Sequence, residues 1–139
     1  MRRFKTTITV IALAFVAAGC GKSDGLLQTK GRVLKGGEEF VPDEGQYIQI
    51  TFAPIATDPK KPAGDYYYAH VDQEAGTFVP AGKNGKGMPP GKYRIEVLLM
   101  KDKKDLLGGK FDAEKSPFVF DVDEDTDEIV IDLDRPPTS

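Results

Sequence analysis

Residues 88–99, which read MPPGKYRIEVLL, decide the fold. From Tyr93 to Leu99 every second residue is large and apolar, and the first two residues between them are charged. Alternation with a period of two indicates a β-strand with one buried face. The Pro90-Gly91 pair before the strand favours a type II turn, in which the glycine takes a positive φ. The stretch therefore predicts a turn that leads directly into a half-buried strand.

Six further segments carry strand patterns, and turn signals such as Gly36-Gly37 and Asn84-Gly85 separate them. The predicted strands are Leu27–Leu34, Ile48–Phe52, Tyr66–Val71, Thr77–Val79, Phe118–Val122 and Ile129–Leu133. No segment after residue 20 sustains a long helical pattern, although Asp102–Leu107 favours one short helical turn. About seven short strands with frequent turns predict an all-β fold, specifically an antiparallel two-sheet β-sandwich of the Ig-like kind.

The N-terminus has the three parts of an export signal. A basic start, Met1 to Lys5, precedes an apolar run from Ile8 to Ala18 that is interrupted only by Thr9, and small residues follow. The run is well short of the roughly 20 residues needed to span a bilayer core. Residues 1–19 are therefore predicted to be a signal peptide that is removed on export.

Cys20 is the only cysteine of the chain, and it changes the prediction for the cleavage site. The stretch Val16-Ala17-Ala18-Gly19-Cys20 resembles a bacterial lipobox, although leucine is commoner where Ala17 stands. The resemblance implies cleavage between Gly19 and Cys20, with lipid attached to Cys20. The alternative is cleavage after an Ala-x-Ala-like site, which leaves a free thiol. Several acyl chains on one residue would hold the protein firmly on a membrane.

The remaining chain divides into a tether, one domain and a tail. Residues 20–25 form the lipidated cysteine and a polar tether, residues 26–134 the β-domain, and residues 135–139 a disordered tail. Removal of residues 1–19 takes away three basic residues, so the net charge falls from −3 to about −6. An acidic domain without a basic patch is not suited to nucleic acid. We expect no nucleic-acid partner.

Three stretches together resemble a known group of domains. They are Thr29-Lys30-Gly31-Arg32-Val33 followed by Gly36-Gly37, then Val71 to Phe78, and then Met88 to Val97. These stretches are similar to the carboxypeptidase regulatory-like, transthyretin-like β-sandwich group. They are also similar to small lipoproteins of planctomycete-type bacteria that carry such a domain, in which Lys110–Leu133 fits the usual C-terminal pattern.

The resemblance covers roughly residues 29 to 133. It implies a non-catalytic module that supports, attaches or recognises other molecules, and it supplies no catalytic residue. Two positions depart from the group: Val71 replaces the usual threonine, and Gln73-Glu74-Ala75 makes the hairpin loop one residue longer. Both departures concern turn geometry.

One feature, the run of three tyrosines, is a candidate for a ligand-binding site, and the single histidine is not. In the run Tyr66-Tyr67-Tyr68, neighbouring residues of a strand face opposite sides, so one or two rings must point away from the core. Exposed rings would suit a sugar or a partner protein. The alternative is that the outward rings only cover a neighbouring strand. His70 is the only histidine and is interpreted as an ordinary strand residue.

The acidic run of residues 121–128 is the one candidate for a metal site. Its aspartates, Asp121, Asp123, Asp125 and Asp127, offer oxygen ligands of the kind that calcium prefers. The run lacks the spacing and the glycine of an EF-hand loop, so a solvated acidic turn is the favoured interpretation. We therefore expect no metal and no cofactor. Asn84-Gly85-Lys86-Gly87 lacks the pattern of a phosphate-binding loop.

The sequence predicts a non-enzymatic lipoprotein of the bacterial cell envelope. It is anchored to a membrane through Cys20, and its β-domain acts as a structural or protein-binding module whose partners are other envelope proteins. The alternative function is the binding of a glycan or small ligand by Tyr66, Tyr67 and Tyr68. The sequence leaves the ligand, the membrane and its leaflet open.

Overall fold

The computed structural model describes residues 25–82 and 84–137. The predicted signal peptide, the Gly19–Cys20 cleavage site and most of the tether lie outside these residues, as does the end of the tail. Within the described part of the chain, no helix is long and apolar enough to cross a membrane.

The described residues form nine strands and no helix. In chain order they are β1 Lys30–Lys35, β2 Glu38–Glu39, β3 Tyr47–Pro54, β4 Tyr67–Asp72, β5 Thr77–Pro80, β6 Gly91–Lys101, β7 Lys104–Asp105, β8 Val119–Val122 and β9 Glu128–Asp132. The seven longer strands coincide with the seven predicted segments. The two short strands, β2 and β7, close hairpins and carry too few residues to show alternation.

The strands pair in the order β2-β1-β5-β4-β3-β6-β7, with β9 added beside β1 and β8 beside β6. All pairs are antiparallel except β1 with β9. This single sheet curls into a half-barrel. The prediction of an all-β, mainly antiparallel fold is confirmed. The division into two packed sheets stays a prediction, because β4 pairs with both β3 and β5 and so joins the two halves.

The core lies inside the curl and is built from alternate residues of the long strands. Phe52 of β3 contacts Phe78 of β5 at 6.2 Å between ring centroids and Tyr93 of β6 at 6.0 Å. The Phe78 ring covers Gly31 of β1 so closely that a Cβ at residue 31 would overlap it. Gly31 is thus required where an aromatic ring lies on the strand backbone.

Strand β6 is the longest element, and it separates two ends of the domain. Its eleven residues span about 33 Å. At its start, Leu27 and Met88 exchange backbone hydrogen bonds of 2.7 and 3.0 Å, which fix the segment that follows the tether. We call this the tether end. At the opposite end, the distal end, β6 turns into β7 beside Tyr47, which pairs with Met100.

Two local predictions are wrong. Gly91 does not take a positive φ, because it already belongs to β6 and pairs with Val122. The positive φ falls earlier, at Gly87, where a Cβ would lie 2.1 Å from the Leu27 carbonyl oxygen. Residues 102–107 form no helical turn, because Asp102 and Lys103 both have positive φ and close the β6–β7 hairpin.

Candidate functional surfaces

The three consecutive tyrosines point to both sides of the sheet. The Tyr67 ring faces inward and meets Tyr93 edge-on at 6.0 Å. Tyr66 and Tyr68 face outward, with 57% and 61% of their surfaces exposed. Two rings therefore lie on the outer surface, available to a ligand or partner, while the middle ring belongs to the core.

Tyr93 links the inner ring pair to the loop before β6. Its hydroxyl donates a 2.6 Å hydrogen bond to the Pro89 carbonyl oxygen. Burial, with a smaller contribution from Tyr67, raises the pKa of Tyr93 to about 12. The phenol therefore remains a hydrogen-bond donor throughout the physiological range, and its contact holds the proline loop against the strand that follows.

An open groove of about 700 Å³ lies on the outer face of β1, β4, β5 and β9. We call it the outer groove. Its lining includes the polar residues Lys30, His70, Asp72, Thr77 and Glu128, together with Gly31, Val71, Phe78 and Val79. Side chains of both charge signs line the groove, and Arg32 beside it pairs with Glu128 at 3.3 Å. Because the charges are mixed and apolar residues also line it, the groove favours a ligand of no strong net charge over a simple anion or cation.

The outer groove and the exposed tyrosines belong to one surface. Tyr68, His70 and Asp72 are successive outward residues of β4, so the Tyr68 ring stands about 7 Å along the strand from His70. His70 itself is exposed on this face. The structure thus brings together Tyr68 and His70, which the sequence presented as unrelated features.

Thr51 lies beside this surface on β3. In the sheet it pairs with Tyr68 on one side and with Glu96 on the other. Its side chain is buried, and its Oγ1 atom has no hydrogen-bond partner. An unpaired buried hydroxyl carries a desolvation cost, so the Thr51 side chain lowers the stability of the sheet at this position.

The acidic run forms the turn between β8 and β9. Asp121, Asp123, Asp125 and Asp127 are all exposed. The Oδ1 atom of Asp123 accepts hydrogen bonds from the Asp125 amide at 3.1 Å and from the Thr126 hydroxyl at 2.8 Å. Within the described residues, no group of three or more acidic, histidine or cysteine side chains converges as a metal site would require.

Gln73 has a structural role that sequence reasoning missed. Its side-chain amide accepts a 2.7 Å hydrogen bond from the Ile48 amide and donates a 2.9 Å bond to the Ile48 carbonyl oxygen. The side chain thus makes the two hydrogen bonds that a neighbouring strand would make to Ile48, at the point where β4 ends. Gln73 lies in the lengthened β4–β5 loop, and the extra residue was the only signal in the sequence.

Ser116 has a related role beside Pro117. The proline has no amide hydrogen to give to β6. The buried Ser116 hydroxyl donates to the Ile95 carbonyl oxygen and accepts from the Phe118 amide at 3.3 Å. It therefore bridges the gap in the ladder between β6 and the start of β8. The Ser-Pro pair lies within Lys110–Leu133, the stretch that fits the C-terminal pattern of the family resemblance.

Scans of the chain against protein-family models, curated proteins and solved structures returned no match. The resemblance to the carboxypeptidase regulatory-like group therefore stays a prediction. The function is therefore inferred from the geometry of the described residues.

Proposed function

We propose that this chain is a lipid-anchored protein of the bacterial cell envelope whose β-domain binds other envelope proteins without catalysing a reaction. The anchor is Cys20, in a sequence that resembles a lipobox. Gly21 to Gly25 reach at most about 18 Å when extended. The domain is then held close to the membrane by its tether end.

The observation that carries the proposal is the position of the tether relative to the exposed apolar side chains. The Leu27–Met88 contact fixes the chain at one end of the sheet. Val41, Tyr47 and Leu106 lie toward the distal end, and each has 47–49% of its surface exposed, while the more exposed Tyr66 lies nearer the tether end. An anchored domain that carries exposed apolar side chains at the end away from its anchor suits contact with partner proteins.

In-cell crosslinking tests the proposal. Cells that express the full chain are treated with a short crosslinker, and the captured proteins are identified by mass spectrometry. We expect a small set of envelope proteins enriched above their abundance. The matched control is Tyr47→Lys, which should lose partners that dock on the distal end. Recovery of proteins only in proportion to their abundance would contradict the proposal.

A second candidate is the binding of a neutral glycan, and the joined surface of Tyr68 and the outer groove favours it. An exposed ring offers a stacking face, and the mixed side chains of the groove offer hydrogen-bond donors and acceptors. A glycan array with the soluble domain, residues 26–139, tests this candidate. We expect Tyr68→Ala to abolish binding and Tyr47→Ala, an equally outward tyrosine at the distal end, to retain it. Equal binding by both variants would contradict the glycan site.

A further inference from the structure

The sheet has an unpaired edge at β9. Strand β9 pairs along its length with β1 and with no other described strand. The chain enters it from β8 through the acidic turn, yet β8 pairs with β6 and not with β9. The opening of the half-barrel therefore lies between β8 and β9, and one side of β9 is free along this opening.

Two residues of β9 direct their backbone toward the free side. The Leu133 amide donates to the Leu34 carbonyl oxygen at 2.9 Å, so the backbone groups of Leu133 point toward β1. Alternate residues of a parallel strand point the same way, so Ile129 and Ile131 bond to β1, while Glu128 and Val130 point their amide and carbonyl groups toward the free side. An edge with such unpaired groups is a template for another strand.

The side chains of the edge specify the chemistry of the added strand. Val130 is 37% exposed and offers an apolar contact on the outer face. Glu128 and Asp132 flank it on the same strand, and the exposed acidic turn at residues 123–127 precedes it. Lys30 pairs with Glu128 in the strand register, and Arg32 forms an ion pair with it at 3.3 Å. The Asp132 Oδ1 atom accepts hydrogen bonds from the amides of Gly36, Asp134 and Arg135. The acidity of the edge therefore comes mainly from the exposed turn at residues 123–127, which leads into the strand that carries Val130.

This charge excludes one partner and favours another. Two copies of the chain that joined at β9 would place acidic residues against acidic residues, which is unfavourable. An extended segment with lysine or arginine two residues before or after an apolar residue would place the cation on the same face as Glu128, while the apolar residue lies against Val130. We propose that the free edge of β9 binds an extended basic segment of a partner protein by strand addition. The inference rests on the proposed protein-binding function and adds the β9 edge as a second partner surface besides the distal end.

The direct test uses a synthetic peptide with the purified domain, residues 26–139. The probe is an acetylated and amidated nonapeptide in which lysine and valine alternate at the odd positions and threonine fills the even positions, so that lysine and valine share one face. NMR should show that the amides of Glu128 and Val130 shift and become protected from hydrogen exchange. A peptide of the same sequence with every backbone nitrogen methylated retains its side-chain charges, but its backbone cannot donate hydrogen bonds to β9. It should bind at least about tenfold more weakly.

A pair of lysine substitutions provides the protein control. Val130→Lys removes the apolar contact and adds a repelling charge, so it should weaken peptide binding by about tenfold or more. Ala56→Lys adds the same charge at an exposed residue of the loop after β3, outside both proposed partner surfaces, and should not alter binding. Equal affinity of the methylated peptide, an unaffected Val130→Lys variant, or no binding at about 1 mM peptide would overturn the inference.

Crosslinking in cells separates this inference from the broader proposal. If Val130→Lys loses partners that Ala56→Lys retains, the β9 edge is the surface used. If Val130→Lys retains every partner of the unmodified chain, the edge is not that surface, and the proposal of partner binding still stands. If the unmodified chain recovers no enriched partner while the peptide binds β9, the proposed function fails and the edge site remains.

Discussion

At the residue scale, single side chains complete the hydrogen-bonding pattern where strands end or diverge. Gln73 pairs with both backbone groups of Ile48. Ser116 supplies the hydrogen bond that Pro117 cannot make. Asp105 accepts hydrogen bonds from the amides of Leu99, Leu107 and Gly109 after the β6–β7 hairpin. Each contact satisfies polar groups that would otherwise be costly to bury.

The contact between Gln73 and Ile48 gives a stability prediction. Gln73→Ala leaves the amide and carbonyl groups of Ile48 without their partner, and we expect a loss of about 1–3 kcal/mol in the free energy of unfolding. Urea denaturation of the soluble domain measures it. Glu74→Ala is the matched control, because Glu74 is exposed and its side chain makes no comparable bond to β3; it should change stability by less than about 0.5 kcal/mol. Equal stability of both variants would contradict the role of Gln73.

Tyr93 gives a prediction about alkaline pH. Its pKa of about 12 lies above the value of about 10 expected in the unfolded chain. The folded state therefore retains a proton that the unfolded state releases as the pH rises through this window, and the stabilisation by Tyr93 is lost there. Below about pH 10 the stabilisation is fully present.

The measurement compares the unmodified domain with Tyr93→Phe by denaturation at neutral and at alkaline pH. At neutral pH Tyr93→Phe should be less stable by about 1–2 kcal/mol, because the Pro89 carbonyl oxygen loses its donor. The difference should shrink as the pH rises above about 10. Tyr68→Phe, whose hydroxyl is on an exposed ring, should behave as the unmodified domain at neutral pH. A stability difference between Tyr93→Phe and the unmodified domain that does not change with pH would contradict the raised pKa of Tyr93.

At the element scale, the alternation of apolar residues predicted the strands because each has one buried and one exposed face. This applied to β3 and β6, which pair over eight residues. The pattern could not predict which strands neighbour each other, because pairing depends on contacts between distant residues. The surface that joins Tyr68 to the outer groove, and the free edge of β9, both arise from that pairing. The prediction for Gly91 was wrong because β6 begins at Gly91, two residues before the predicted strand start at Tyr93.

The β6–β7 hairpin gives a prediction at this scale. Asp102 and Lys103 have φ values of 50° and 65° in the two-residue loop, a conformation that favours glycine over lysine. Lys103→Gly should raise stability by about 0.5–1 kcal/mol in thermal or urea denaturation. Lys101→Gly, within β6, should lower stability by a similar amount, because glycine weakens a strand. Destabilisation by Lys103→Gly would show that the lysine side chain contributes more than its backbone conformation costs.

At the scale of the whole molecule, the sheet separates the tether end of the domain from the distal end. The tether joins it at the Leu27–Met88 contact, and β6 leads about 33 Å to the distal end. In the proposed arrangement, the short tether would limit the distance between the domain and the membrane. The two surfaces proposed for partners, the distal end and the β9 edge, are then presented by one anchored body. Attachment through Cys20 is the claim on which this arrangement depends.

Membrane fractionation of Cys20→Ser tests that claim most directly. The full-length chain and the variant are expressed in a bacterial host that lipidates exported proteins, and membranes are separated after a high-salt wash. We predict that the unmodified protein remains in the membrane fraction, while Cys20→Ser, which lacks the sulfur that carries the lipid, is found in the soluble fraction with unchanged thermal unfolding of residues 26–134. Fractionation of Cys20→Ser with the membranes to the same extent as the unmodified chain would contradict the account.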